Sequence, residues 1–99
     1  MAHTIQQVAF RWVKANPDLE KLQTVIATQC DDWLRLNVHV WYLWTMKSPT
    51  DIYSGLRTSM TSEDSVVIMP VDPTGVNGWA PQVVWDWLNA KATEKRLGF

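Results

Sequence analysis

Few side chains in this chain have the chemistry to run a reaction, and their spacing keeps them apart. His3 and His39 are the only histidines. Neither falls into a Ser-His-Asp order or an HExxH spacing, so no nucleophilic triad or zinc pair can be assembled from them. His39 stands among β-branched and aromatic neighbours, where a structural ring with its nitrogens satisfied is expected. Asp31-Asp32 and Glu63-Asp64 are acids adjacent in sequence. Adjacent acids do not converge as a general acid and base must, so both pairs read as solvated residues at element ends. Cys30 follows a helical stripe and has acids beside it, which raise a thiol pKa and leave it inert. Gly75-Val76-Asn77-Gly78 precedes a helix but fits neither G-x-G-x-x-G nor a phosphate loop, and is expected to be a plain loop. No catalytic residue, metal set or cofactor is expected.

The stronger signal is aromatic. Seven tryptophans stand in 99 residues. Trp is large and its indole N–H needs a partner, so a domain of this size does not bury all seven completely. Some should lie at a boundary, against a second subunit or a ligand. The candidates for that face are Arg11, Trp41, Tyr42, Leu43, Trp44, Trp79 and Trp85. In one register Trp41 and Leu43 join Arg11 on the open side of a sheet; in the other, Tyr42 and Trp44 do. Two uses compete. Aromatics on central strands can stack nucleic-acid bases, with Arg11, Lys14 and Arg35 as cations. The glycine-aromatic signature of RNA-recognition sheets is missing, however, and the net charge is −1. Burial in the core and across a subunit contact is therefore favoured, with nucleic acid second.

The elements that must position these residues follow from periodicity. Residues 4–14 alternate, with Val8, Phe10 and Trp12 on one face and Gln7, Ala9 and Arg11 on the other: a strand. Asn16-Pro17-Asp18 reads as a helix start with Asn16 as the cap, and Leu19, Leu22, Val25 and Ile26 form its stripe to about Gln29. Trp33 to Leu36 is a short strand, Asn37 its turn, and Val38 to Thr45 a central strand apolar on both faces. Ser48-Pro49-Thr50-Asp51 starts a second helix with Ile52, Leu56 and Met60 inward and Gly55 a mild weakness. Ser65 to Val71 is a strand that either ends at Pro70 or lies with that side at an edge. Residues 72–79 form a loop, and Pro81 opens a third helix with Val84, Trp87, Leu88 and the Lys91 methylenes on one stripe. The fold class is α+β, a ferredoxin-like split βαβ pattern (β-α-β-β-α-β) with an extra C-terminal helix.

Particular residues within this pattern resemble a known family. Asp32-Trp33-Leu34-Arg35-Leu36-Asn37, then Trp41, Thr45, Ile52, Leu56, Asp64-Ser65-Val66-Val67-Ile68 and the loop Gly78-Trp79-Ala80 are similar to the layout of the small CRISPR-associated endoribonuclease-like subunit and its stand-alone relatives. The resemblance spans residues 4–90 and implies the ferredoxin-like fold and a dimer. Nuclease members of that family end the first strand with a Tyr-Asp pair whose acid holds a divalent metal at the dimer axis. Here Trp12-Val13-Lys14 stands in that place, and a lysine repels a cation. The resemblance thus implies a non-catalytic relative.

Composition sets the remaining bounds. Forty-six per cent hydrophobic and 19% charged residues describe one globular domain, 1–99, with a core over 4–72 and a C-terminal loop and helix over 73–97. The N-terminus lacks a secretory layout, no apolar run spans a bilayer, and a single cysteine suits the cytoplasm. The expectation is a non-enzymatic homodimer that works by protein association.

Overall fold

The computed structural model describes residues 3–14 and 17–96. Four strands, β1 (Thr4–Arg11), β2 (Asp32–Arg35), β3 (Val40–Thr45) and β4 (Ser65–Val71), form one antiparallel sheet in the order β2-β3-β1-β4. Three helices, α1 (Leu19–Ala27), α2 (Pro49–Leu56) and α3 (Gln82–Arg96), complete a small α+β domain compatible with the ferredoxin-like class. No helix among the described residues is long and apolar enough to cross a membrane.

Strand alternation sorts the sheet into two cores. Val8 and Phe10 of β1 and Trp41 and Leu43 of β3 pack with Leu22 and Ile26 of α1 and Ile52 and Leu56 of α2. On the opposite face Ile5 pairs in register with Trp44, and both pack with Val84 and Leu88 of α3. The third helix therefore covers part of the face that a helix-on-one-side architecture leaves open. It reaches the β2–β3 half and the Val71 end of β4. Val67 and Met69, beside Ala9 and Gln7 in register, remain in water.

Local chemistry fixes the ends. Ser48 caps α2 as its sequence suggests, its side chain accepting from Asp51 N at 3.2 Å, with Pro49 in the first turn. For α1 the cap is Asp18 rather than Asn16: its carboxylate accepts from Lys21 N at 3.1 Å. Asn16 lies outside the described residues. The first strand stops at Arg11, three residues short of its alternation. There the Trp12 indole N–H turns to donate to Val38 O at 2.8 Å, and Val13 N donates to Asp64 at 2.9 Å. Asn37 makes the β2–β3 turn by accepting from His39 N and Val40 N through Oδ1. That turn holds His39, which is exposed, so its expected place on the strand is corrected. β4 runs through Pro70 to Val71 at the sheet edge, the second of the two places that Pro70 allowed.

Gly55 has a sharper reason than flexibility. A Cβ there would meet the Gln29 amide at 2.3 Å, and that amide accepts from Lys47 Nζ at 2.8 Å. The helix gives up propensity so that a buried amide can lie against its backbone.

Candidate functional site

The structure divides the aromatic candidates. Trp41 and Leu43 are 0% exposed in the core under α1 and α2, so neither meets a partner or ligand from the folded surface. Burial wins because β3 is central and that face is the one both helices cover. Arg35 lies 5.7 Å over the Trp41 ring on the same side, whereas Arg11 falls on the opposite face by strand alternation. The cations named for nucleic acid are thus not gathered over one aromatic platform.

Tyr42 and Trp44 occupy the other face, and α3 lies over them. Here the structure builds its densest polar contact. Lys91, 8% exposed, points its ammonium at Asp32 Oδ2, 2.9 Å away. The same ammonium stands 5.4 Å from the ring centres of both Trp44 and Trp87, so two indole faces hold one cation. Trp87 Nε1 donates to the same Asp32 oxygen at 3.0 Å, and Trp33 N donates to the other at 2.9 Å. Burial pushes the Asp32 carboxyl up, but the Lys91 ammonium and the Trp33 and Trp87 N–H groups outweigh it and hold the pKa below the usual value. The His3 ring also stacks on Trp44, at 5.2 Å, and donates to Asp31.

Asp32 opens β2 and stays half exposed, as expected of an acid at an element end, but it is engaged and ties α3 to the sheet. Lys91 lies on the apolar stripe of α3, and its ammonium is held there as well as its methylenes. A lysine on a buried helix face needs a counter-charge, and that signal was present in the sequence. The node carries one carboxylate and no free nucleophile. Its chemistry is that of a clasp.

At the end of β1, where the family's metal-binding acid would stand, two acids are close to Val13 and Lys14. Asp18 and Asp64 line a groove of ≈ 280 Å³ together with Lys14 and Lys21. Both carboxylates are engaged by backbone donors: Asp18 by Lys21 N, Asp64 by Val13 N and Thr61 N. Those Thr61 and Val13 N–H bonds hold the partly exposed Asp64 below the ordinary carboxylate range. Among the described residues no three of His, Cys, Asp and Glu come together as a metal site. Cys30 is half-buried, and burial, followed by the charges of Asp32 and Asp31, pushes its thiol up to about 11. It is protonated at neutral pH and poorly nucleophilic.

Two surfaces remain. One is the uncovered strip of β4, where Val67 is 57% and Met69 46% exposed. The other is the loop before α3. Trp79 stands 99% exposed and, with Tyr42, Trp85 and the rest of residues 75–80, lines a groove of ≈ 410 Å³. Gly78, with φ of 150°, lies in the region that glycine favours, and it immediately precedes Trp79. The sequence placed Trp79 and Trp85 on a boundary face; the structure adds that they flank one groove.

Compared with protein-family models, with curated proteins and with solved structures, the chain has no match in any of the three.

Proposed function

We propose that this chain is a non-enzymatic ferredoxin-like domain, β-α-β-β-α-β with a C-terminal helix, that works as a homodimeric protein-interaction module. The strand order β2-β3-β1-β4 supports the split βαβ reading, because β1 and β3 lie side by side in the middle. In this reading the chain is a stand-alone, non-catalytic relative of the small CRISPR-associated endoribonuclease-like subunit, set in the cytoplasm. The acids nearest the end of β1 support the non-catalytic part, since each is already engaged by backbone N–H groups.

One observation carries the association reading. The fold leaves large apolar side chains in water, Trp79 above all, while its buried cation is matched internally by Asp32. Exposed apolar surface on a small domain marks a protein contact. Light scattering of the unaltered protein at micromolar concentration tests this. A particle of about twice 11.4 kDa supports it, and a monomer across that range refutes it.

A further inference from the structure

We infer that the outer edge of β4 is a strand-addition site, taking an extended apolar segment of a partner protein that closes on acidic residues. The inference builds on the interaction-module reading above and names a partner other than a second copy. Backbone direction comes first. Phe10 N donates to His39 O, so Phe10, Val8 and Gln6 turn their N–H and C=O groups toward β3. The alternate residues of β1, Ile5 to Arg11, therefore face β4, and their register partners Ser65, Val67, Met69 and Val71 face back. Val66, Ile68 and Pro70 are left facing outward, with no strand beyond them. Proline sits there without breaking a ladder bond, because its nitrogen points away from β1. It blunts one end of the edge. At the other end the N–H groups of Val66 and Ile68 have no hydrogen-bond partner among the described residues.

Both faces of this edge offer apolar contact. Val67 and Met69 are exposed on the open face. On the helix face Tyr53, Met60 and Val66 line a groove of ≈ 460 Å³ between α2 and β4. Alternate side chains of an added strand thus find apolar neighbours on either side. Charge selects the segment. Arg57 lines the same groove at the Ser65 end of β4, and Arg11 stands opposite Ser65 on the other face. Both arginines are exposed, and neither has an ion pair or hydrogen bond among the described residues. The one acid lining the groove, Asp64, already accepts from Val13 N and Thr61 N, and Glu63 on the same turn does not line it. A strand entering antiparallel to β4 brings its C-terminal end to these arginines, and two consecutive acids there point one to each face. A second copy does not supply them. β4 carries no acid, and the single acid of the other edge strand, β2, is Asp32, held by Lys91 and Trp87.

The probe is a short peptide of alternating valine and threonine ending in two glutamates, titrated into the isotope-labelled full chain. Amide exchange by NMR reads the site directly. At saturation the Val66 and Ile68 N–H groups should exchange about tenfold more slowly or better, while those of Val67 and Met69, which face β1, change little. Arg57→Glu, an exposed change that keeps the fold, should weaken binding by about tenfold, and Arg57→Lys by less. The same peptide N-methylated on the residues that face β4 should not bind, since it can neither donate to the edge nor approach it. The strand-addition site is overturned if the peptide binds without slowing Val66 and Ile68, or binds as well when N-methylated or with lysines for its glutamates. Failure to bind at millimolar concentration overturns it too. Light scattering reads the homodimer separately. A monomer that takes the peptide keeps this inference and loses the dimer, and a dimer that does not take it does the reverse.

Discussion

Cutting the clasp under α3 from its two ends should have unequal costs. Asp32→Ala strands the ammonium of the buried Lys91, with Glu94 3.8 Å away as the remaining acid within reach. Removing one partner of a fully buried pair costs about 3–5 kcal/mol because the survivor is left uncompensated. The Asp32 side chain is 47% exposed, so water reaches the pair and the cost falls to about 2 kcal/mol. That figure includes the lost acceptor of the Trp87 indole N–H. Lys91→Met keeps the apolar stem and removes the charge. The Asp32 carboxylate then hydrates and still accepts from Trp87, so the lost ion pair and two cation–π contacts are offset by relief of the buried ammonium's desolvation and by what the thioether regains, for a net loss of about 1 kcal/mol. At roughly 4–8 °C per kcal/mol for a domain of this size, Tm drops by about 10 °C for Asp32→Ala and about 5 °C for Lys91→Met. The double variant should cost less than the sum of the two, since the second change removes the stranded charge. Urea unfolding followed by tryptophan fluorescence measures all three. Equal single costs, or strict additivity, would refute the account of Lys91 as a buried cation held by Asp32.

Other outcomes follow from the same structure. The folded pKa of Asp32 lies below its ordinary value of 3.8, so its contribution is complete above that pH and is lost as pH falls through the folded value; Asp32→Asn should flatten that acid limb of a stability–pH curve. Gly55→Ala gains about 1 kcal/mol of helix propensity but displaces the buried Gln29 amide from Lys47 and Thr28. A net loss of about 1 kcal/mol is expected by thermal melting, recovered in large part when Gln29→Ala is added. Cys30, with its thiol near 11, should alkylate far more slowly at pH 8 in the folded protein than after denaturation, as mass spectrometry of timed samples would read. With magnesium or manganese the protein should not cut labelled single-stranded RNA or DNA; cleavage abolished by EDTA and by Asp18→Asn would contradict the non-catalytic reading.

Much of the fold was legible because its signals are local. Ser48-Pro49 announced α2, Asn37 the β2–β3 turn, Pro70 a strand end or an edge, and the alternation around Val8 and Phe10 the buried face of β1. The assignment of faces on β3 was not legible. Val40 to Thr45 is apolar on both sides, so nothing in the strand says whether Trp41 or Trp44 meets α1 and α2. That choice is made by pairing with β1, where Val8 stands opposite Trp41. The clasp was missed for a related reason. Asp32 and Lys91 are far apart in sequence, and their meeting depends on α3 crossing the second face of the sheet, which strand periodicity does not encode. Trp79 is exposed, and the groove it lines was not legible, because its walls combine residues 75–80 with the β2–β3 turn, β3 and α3.

The central claim is self-association, and sedimentation velocity of the unaltered chain over the micromolar range tests it most directly. The account predicts a species of about twice 11.4 kDa that dissociates on dilution. A single 11.4 kDa species at every concentration would contradict it.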